Sequence, residues 1–184
     1  MGQIRDVPLA ALIAGILYAD EGSVGRASQM LVCEFGPIEI VSPVFYFTMT
    51  DYYATEMGEL LKKKFCCFSH PIHPESLPDI KLMTNRIESE LAHDENEHLM
   101  RTVNIDPGYV TLSKLVLATT KDYSHRIFIG KGIFAETTLR YRDGKFTPID
   151  ITYPDYRTPL AIDFFNDVRD FVKRNRNLWN HQKE

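Results

Sequence analysis

Residues 9–37, LAALIAGILYADEGSVGRASQMLVCEFGP, set the architecture. The uncharged run LAALIAGILY, residues 9–18, reads as a buried strand that closes at Ala19 and Asp20. Helical spacing follows at once. Val24, Ala27, Leu31 and Phe35 recur at i, i+3, i+7 and i+11, and Gly36–Pro37 stops the pattern.

Working outward, residues 38–50 read as extended, with Pro43 marking a break or an edge, and residues 64–69 as a short strand. A second helix is expected from Ser76, which would cap it with Asp79 three residues on. Its apolar face is Leu77, Ile80, Met83, Ile87 and Leu91. Residues 93–101 are polar and read as an exposed loop. An extended stretch, 103–112, comes next, and 115–118 fits helix or strand. Residues 126–129 and 133–141 read as strands joined by Gly130–Lys131–Gly132, and Asp143–Gly144 signals a hairpin into 145–149. In the last helix Thr158 caps, Pro159 opens the first turn, and Leu160, Phe164, Val168, Phe171 and Val172 share a face. This order predicts an α+β fold, a mainly antiparallel sheet with helices packed on it. Its opening is a ferredoxin-like βαββαβ unit, followed by a β-hairpin portion and a C-terminal helix. One globular domain over 1–184 is expected, with a flexible tail from about 175 to 184.

Apolar content of 44% with 25% charged residues fits a folded, water-soluble chain. No apolar run reaches the roughly 20 residues of a membrane helix. Three cysteines, two of them adjacent, make a poor disulfide framework and point to the reducing cytoplasm. The net charge of −4 argues against a general nucleic-acid binder, yet it hides an asymmetry. Residues 1–100 hold 15 acidic and 7 basic side chains, while 101–145 hold 4 and 8. A locally basic stretch on an acidic chain suits the capture of an anion.

That stretch contains most of the candidate site. KDYSHR brings together Lys121, Ser124, His125 and Arg126, enough to neutralise a phosphate and move a proton, or else a solvated loop. In NIDPGY, Asp106 is either a catalytic carboxylate or part of a turn at Asp106–Pro107–Gly108, and Lys114 follows as a ligand donor. Glu136, Arg140 and Arg142 alternate with period two and are expected on one strand face. Glu136 interrupts an apolar run and needs a cation, with Lys121, Arg126 or Arg140 in reach. Outside it, TDYY and the Glu56 that follows offer Asp51 and Glu56 as acid–base or metal-binding carboxylates, or Asp51 as a helix cap, with Tyr52 and Tyr53 as stacking surfaces; TYPDY adds Asp155 between two aromatics. Cys66, Cys67, His70 and His73 lack zinc spacing, so no metal site is assigned. There is no G-x-x-x-x-G-K-[ST], G-x-S-x-G, H-E-x-x-H or G-x-G-x-x-G pattern, and no cofactor is read from the sequence.

The strings FTMTDYYATEMG (47–58), KLMTN (81–85), residues 104–142 and TYPDYRTP (152–159) resemble the prokaryotic family called domain of unknown function 4416. The resemblance spans nearly the whole chain. It implies a compact cytoplasmic protein of bacteria or archaea and brings no established activity with it.

The residues themselves favour binding of a phosphorylated or otherwise anionic small molecule, a nucleotide among the options, with catalysis undecided. Asp51, Asp106, His125 and Glu136 would be its acid–base groups. The other reading is a non-enzymatic module that docks on protein or RNA through the basic 101–145 face. A third, metal-dependent hydrolysis, requires those four residues to converge.

Overall fold

Strand β1 (Ala10–Tyr18) is buried along its whole length. In the computed structural model, which describes all residues except 1, 5, 51, 96, 97 and 182–184, both faces of the sheet at β1 are covered. Leu12, Ala14, Ile16 and Tyr18 pack against helices α1 (Glu21–Phe35) and α3 (Leu77–Leu91). Ala11 and Ile13 face helix α4 (Pro159–His181). A strand covered on both sides has no polar face to show, which is why the opening run lacks alternation. Asp20 caps α1 by accepting from Ser23 N at 2.9 Å, and Gly36, at φ +86°, ends it.

The remaining elements are β2 (Ile38–Val41), β3 (Phe45–Tyr46), the short helix α2 (Ala54–Met57), β4 (Lys62–Ile72), a hairpin of β5 (His93–Glu95) and β6 (His98–Met100), β7 (Val103–Val110), β8 (Lys114–Thr119), β9 (Ile127–Gly130), β10 (Ile133–Arg142) and β11 (Lys145–Pro148). The large sheet runs β11-β10-β8-β7-β1-β4-β2, every pairing antiparallel, with β3 on β4 and β9 on β10. The order β7-β1-β4-β2 with α1 and α3 on one face is the split βαβ arrangement expected of the opening. The α+β class holds throughout. Asp143 (φ 52°) and Gly144 (φ 85°) form the hairpin turn read from the sequence. Thr158 caps α4 by accepting from Ala161 N at 3.2 Å.

Several local readings are corrected. The loop expected at 93–101 is largely the β5–β6 hairpin. Ser76 precedes α3 but gives its hydroxyl to His73 O at 2.7 Å and makes no cap bond. β4 extends beyond 64–69 at both ends, from Lys62 to Ile72. Lys62 meets Glu21 at 2.8 Å and Lys63 is buried. α4 runs on to His181 through the stretch read as a tail, with Trp179 edge-on to Phe171 at 5.5 Å. Among the described residues no helix is long and apolar enough to cross a membrane.

Asp106–Pro107–Gly108 is not a turn but the middle of β7. β7 pairs with β1 from Val103 to Val110, yet with β8 only over Gly108–Val110. At Pro107, therefore, β7 has one neighbour, a position that accepts a residue without an N–H. Gly108 is the first residue of β7 to pair with β8. A Cβ there would collide with the carbonyl oxygen of Val116. Below Gly108 the two strands part, and the sheet opens.

Candidate functional site

That opening holds a cavity of about 530 Å³. Its walls come from β7 (Asn104, Asp106), the end of β8 and the loop after it (Leu117–Lys121), Glu136 on β10, α3 (Lys81, Asn85, Glu88), the residues Phe47, Met49, Thr50, Tyr52 and Tyr53, and the 153–156 turn. Helix α3 closes the gap from below. Where a strand would have bonded Ile105, Lys81 Nζ donates to Ile105 O at 2.9 Å and Glu88 Oε1 accepts from Ile105 N at 2.7 Å. A helix thus satisfies, through side chains, the strand edge that β8 leaves.

Three charged clusters line the cavity. In the first, Lys63 Nζ is 2.6 Å from Asp155 and 3.6 Å from Asp106, and it lies over the Tyr156 ring at 4.9 Å. Burial works against the Lys63 charge, but Asp155 and Asp106 outweigh it and hold its pKa above the ordinary lysine value. Gly15, beneath them, leaves room for Tyr156, whose hydroxyl would be 2.7 Å from any Cβ placed there.

In the second, Arg101 forms a bidentate pair with Glu56 at 2.5 and 2.6 Å and reaches Glu88 at 3.2 Å and Asn104 Oδ1 at 3.0 Å. The Arg101 hydrogen bonds lower the Glu56 pKa, whereas burial raises that of Glu88 despite Lys81. A lowered carboxylate pKa contributes stability that is present above the ordinary glutamate range and lost as pH falls through the folded value. Glu56→Gln is therefore expected to be less stable than wild type at neutral pH. The difference should vanish under acid conditions, as read by urea unfolding across that range. An equal difference at both ends would show that Glu56 acts through packing and not charge.

The third cluster is centred on Glu136, whose side chain is 2% exposed. Its Oε2 accepts from Arg126 Nε at 2.7 Å and lies 3.1 Å from His125 Nε2. Arg126 also donates to Lys121 O at 2.9 Å and to the Tyr153 hydroxyl, so all three of its nitrogens are engaged. The guanidinium stands over Tyr123 at 4.8 Å.

Asp106, Glu136, Tyr52, Tyr53 and Lys121 meet at the cavity. Lys121, at its mouth, lies 3.2 Å from the Tyr52 hydroxyl and 4.4 Å above that ring, and pairs with no carboxylate among the described residues. His125 and Arg126 stand behind Glu136 as its supports. Ser124 is exposed and outside the cavity. Lys114 lies at the opposite end of β8, on a second cavity of about 470 Å³. Arg140 and Arg142 do not share a face with Glu136. The register of β10 against β8 shifts between Thr137 and Leu139, so the buried positions change from even to odd and both arginines point outward. Asp51 lies outside the described residues. Cys66 and Cys67 are buried on opposite faces of β4, and no three His, Cys, Asp or Glu among the described residues gather as metal ligands.

Lys63, Lys81, Glu88, Arg101 and Asn104 were missed from the sequence. Lys81, with Asn85, sits in KLMTN, one of the strings that carry the family resemblance. Arg101 ended the stretch read as an exposed loop, and no motif or spacing singled out Lys63.

Among the described residues, four buried side-chain atoms have no hydrogen-bond partner: Asn104 Nδ2, Glu136 Oε1, Tyr156 Oη and Thr138 Oγ1. The first three belong to residues that line the cavity. Buried polar atoms are ordinarily paired, so three in residues around one cavity are unusual. No curated protein matches the chain. The model of the family described as Domain of unknown function (DUF4416) matches residues 8–171, and the chain belongs to that family.

Proposed function

We propose that the protein binds a small molecule carrying a phosphate or other anionic group in the cavity between β7 and β8, with nucleotides the first class to test. The observation that carries this is the set of unpartnered buried atoms around a ligand-sized space, beside a cation that no carboxylate among the described residues neutralises. The inner cations are taken up by carboxylates of the chain: Lys63 by Asp155 and Asp106, Arg101 by Glu56 and Glu88, Arg126 by Glu136. Lys121 tips the mouth positive, and the Thr119 and Thr120 side chains beside it suit an oxyanion. Tyr52 and Tyr53, edge to face at 5.0 Å, offer a surface to a ring. Glu136 and Asp106 are the carboxylates in position for acid–base chemistry, should the ligand be a substrate. Unbridged Cys33, Cys66 and Cys67 support action in the reducing cytoplasm.

A basic docking face over 101–145 has less support, because Arg101, Arg126, Lys131 and Arg142 are each ion-paired to a carboxylate of the same chain.

Thermal unfolding against nucleotides, sugar phosphates and pyrophosphate tests the proposal. A ligand at about 100 times its Kd adds roughly 2.7 kcal/mol. For a chain of this size that raises Tm by roughly 5–10 °C. Lys121→Ala, an exposed substitution, should leave the ligand-free Tm unchanged and abolish the shift. No shift with any phosphate compound would sink the anion reading.

A further inference from the structure

The second cavity, of about 470 Å³, lies between the chain entering β1, the turn from β7 to β8 and helix α4. The turn is held from several sides. Thr111 N donates to Lys114 O at 2.9 Å, and the Thr111 hydroxyl accepts from Ser113 N and Lys114 N at 3.3 and 3.2 Å. Leu112 O accepts from Arg169 Nε at 2.8 Å, and Ser113 O from Tyr141 N at 2.8 Å. Helix α4 then offers one stripe at helical spacing. Arg169 ties down the turn, Val172 lines the cavity one turn on, and Arg176 lines it one turn further. Two features set this cavity apart from the first. Its walls are mostly apolar, and Leu9, Pro74, Tyr109 and Leu112 among them are only half-buried, so apolar surface is left for a ligand to cover. Its charge is one-sided as well. Lys114 and Arg176 line it and, among the described residues, no Asp or Glu does, whereas Glu88, Asp106, Glu136 and Asp155 all line the first cavity. Neither cation is ion-paired among the described residues. On a chain of net charge −4, this is a local excess of positive charge beside an apolar wall.

We infer that the second cavity binds a small monocarboxylate with an aliphatic body, of the medium-chain fatty acid class. The chain would cover the apolar walls. The carboxylate would stay at the rim, where Lys114 and Arg176, both exposed and both on long flexible stems, can reach it. The forked guanidinium of Arg176 matches the two oxygens of a carboxylate. An aliphatic body fits better than a stacked ring, because Tyr109 is the one aromatic side chain among the described lining residues. This site shares no lining residue with the first cavity and stands independently of the anion proposed there.

The test titrates the full chain with octanoate, butyrate and 1-octanol, with binding read by ligand-observed NMR at millimolar concentration. Octanoate should saturate. Butyrate keeps the charge and loses half the chain, and should bind more weakly by on the order of tenfold or more. 1-Octanol keeps the chain and loses the charge, and should also bind more weakly by on the order of tenfold. The double variant Lys114→Ala/Arg176→Ala changes two exposed side chains and should keep the ligand-free Tm. It should bind octanol as wild type does and lose the preference for octanoate. Lys121→Ala, in the first cavity, should bind octanoate as wild type does. Absence of saturable octanoate binding overturns the inference, as does octanol binding as tightly as octanoate, or a double variant that still prefers the carboxylate. Loss of octanoate binding in Lys121→Ala, with none in the double variant, would also overturn it, by moving the carboxylate to the first cavity. Tm shifts by phosphate compounds through Lys121 bear on the first cavity alone, so either site can fail without the other.

Discussion

Arg126→Ala is expected to destabilise the protein by about 3–5 kcal/mol, the range for removing one partner of a buried ion pair. Glu136 is 2% exposed at its side chain, and Arg126 holds it with the shortest of its contacts, at 2.7 Å. Without the guanidinium, a carboxylate would stand in a closed space with only His125 beside it. The carbonyl of Lys121 and the hydroxyl of Tyr153 would each lose a donor as well. Differential scanning calorimetry should record a fall in Tm of roughly 6–20 °C. The double variant Arg126→Ala/Glu136→Leu should recover most of it, because the uncompensated charge is gone. If Arg126→Ala melts within about 2 °C of wild type, the pair is not structural.

Lys63→Met should be of similar size, about 3–5 kcal/mol, for the same reason. It strands Asp155, whose side chain is 5% exposed, and leaves Asp106 with one fewer neighbour. The two substitutions differ in their response to pH. Lys63 has a raised pKa in the folded state. Its contribution is therefore complete below the ordinary lysine value, about 10.4, and is lost as pH rises through the folded value. Wild type should weaken on that alkaline limb, while Lys63→Met, lacking the group, should not. The gap between the two in urea midpoint then narrows with rising pH. A gap that stays constant would mean that packing of the lysine stem, and not its charge, sustains the site.

The sequence carried the fold further than the site, and the reason is physical. Apolar spacing reports which side of an element is covered, and that is enough to place α1, α3, α4 and β1. It reports nothing about which strands part company. The cavity exists because β7 and β8 separate below Gly108, and the local sign of that separation, Pro107 in a strand, looks like an ordinary turn signal. Glu136 was legible as a buried carboxylate in search of a cation, since an ionised group inside an apolar run must be paired to remain charged. That Arg126 was its partner meant that Arg126 was not free for a ligand, a consequence visible only with both side chains in place. Lys63 and Lys81 were illegible for the opposite reason. A lysine is usually solvated, and only the fold shows that these two are buried among carboxylates and carbonyls.

Lys81 and Glu88 also bear on the company the sheet keeps. An open stretch of β7 inside a cleft would be a template on which a strand from another chain could lie, the first step of edge-to-edge association. With its N–H and C=O already taken from within the same chain, Ile105 has nothing left to offer an incoming backbone. The gap can therefore stay wide enough for a small molecule without inviting a peptide.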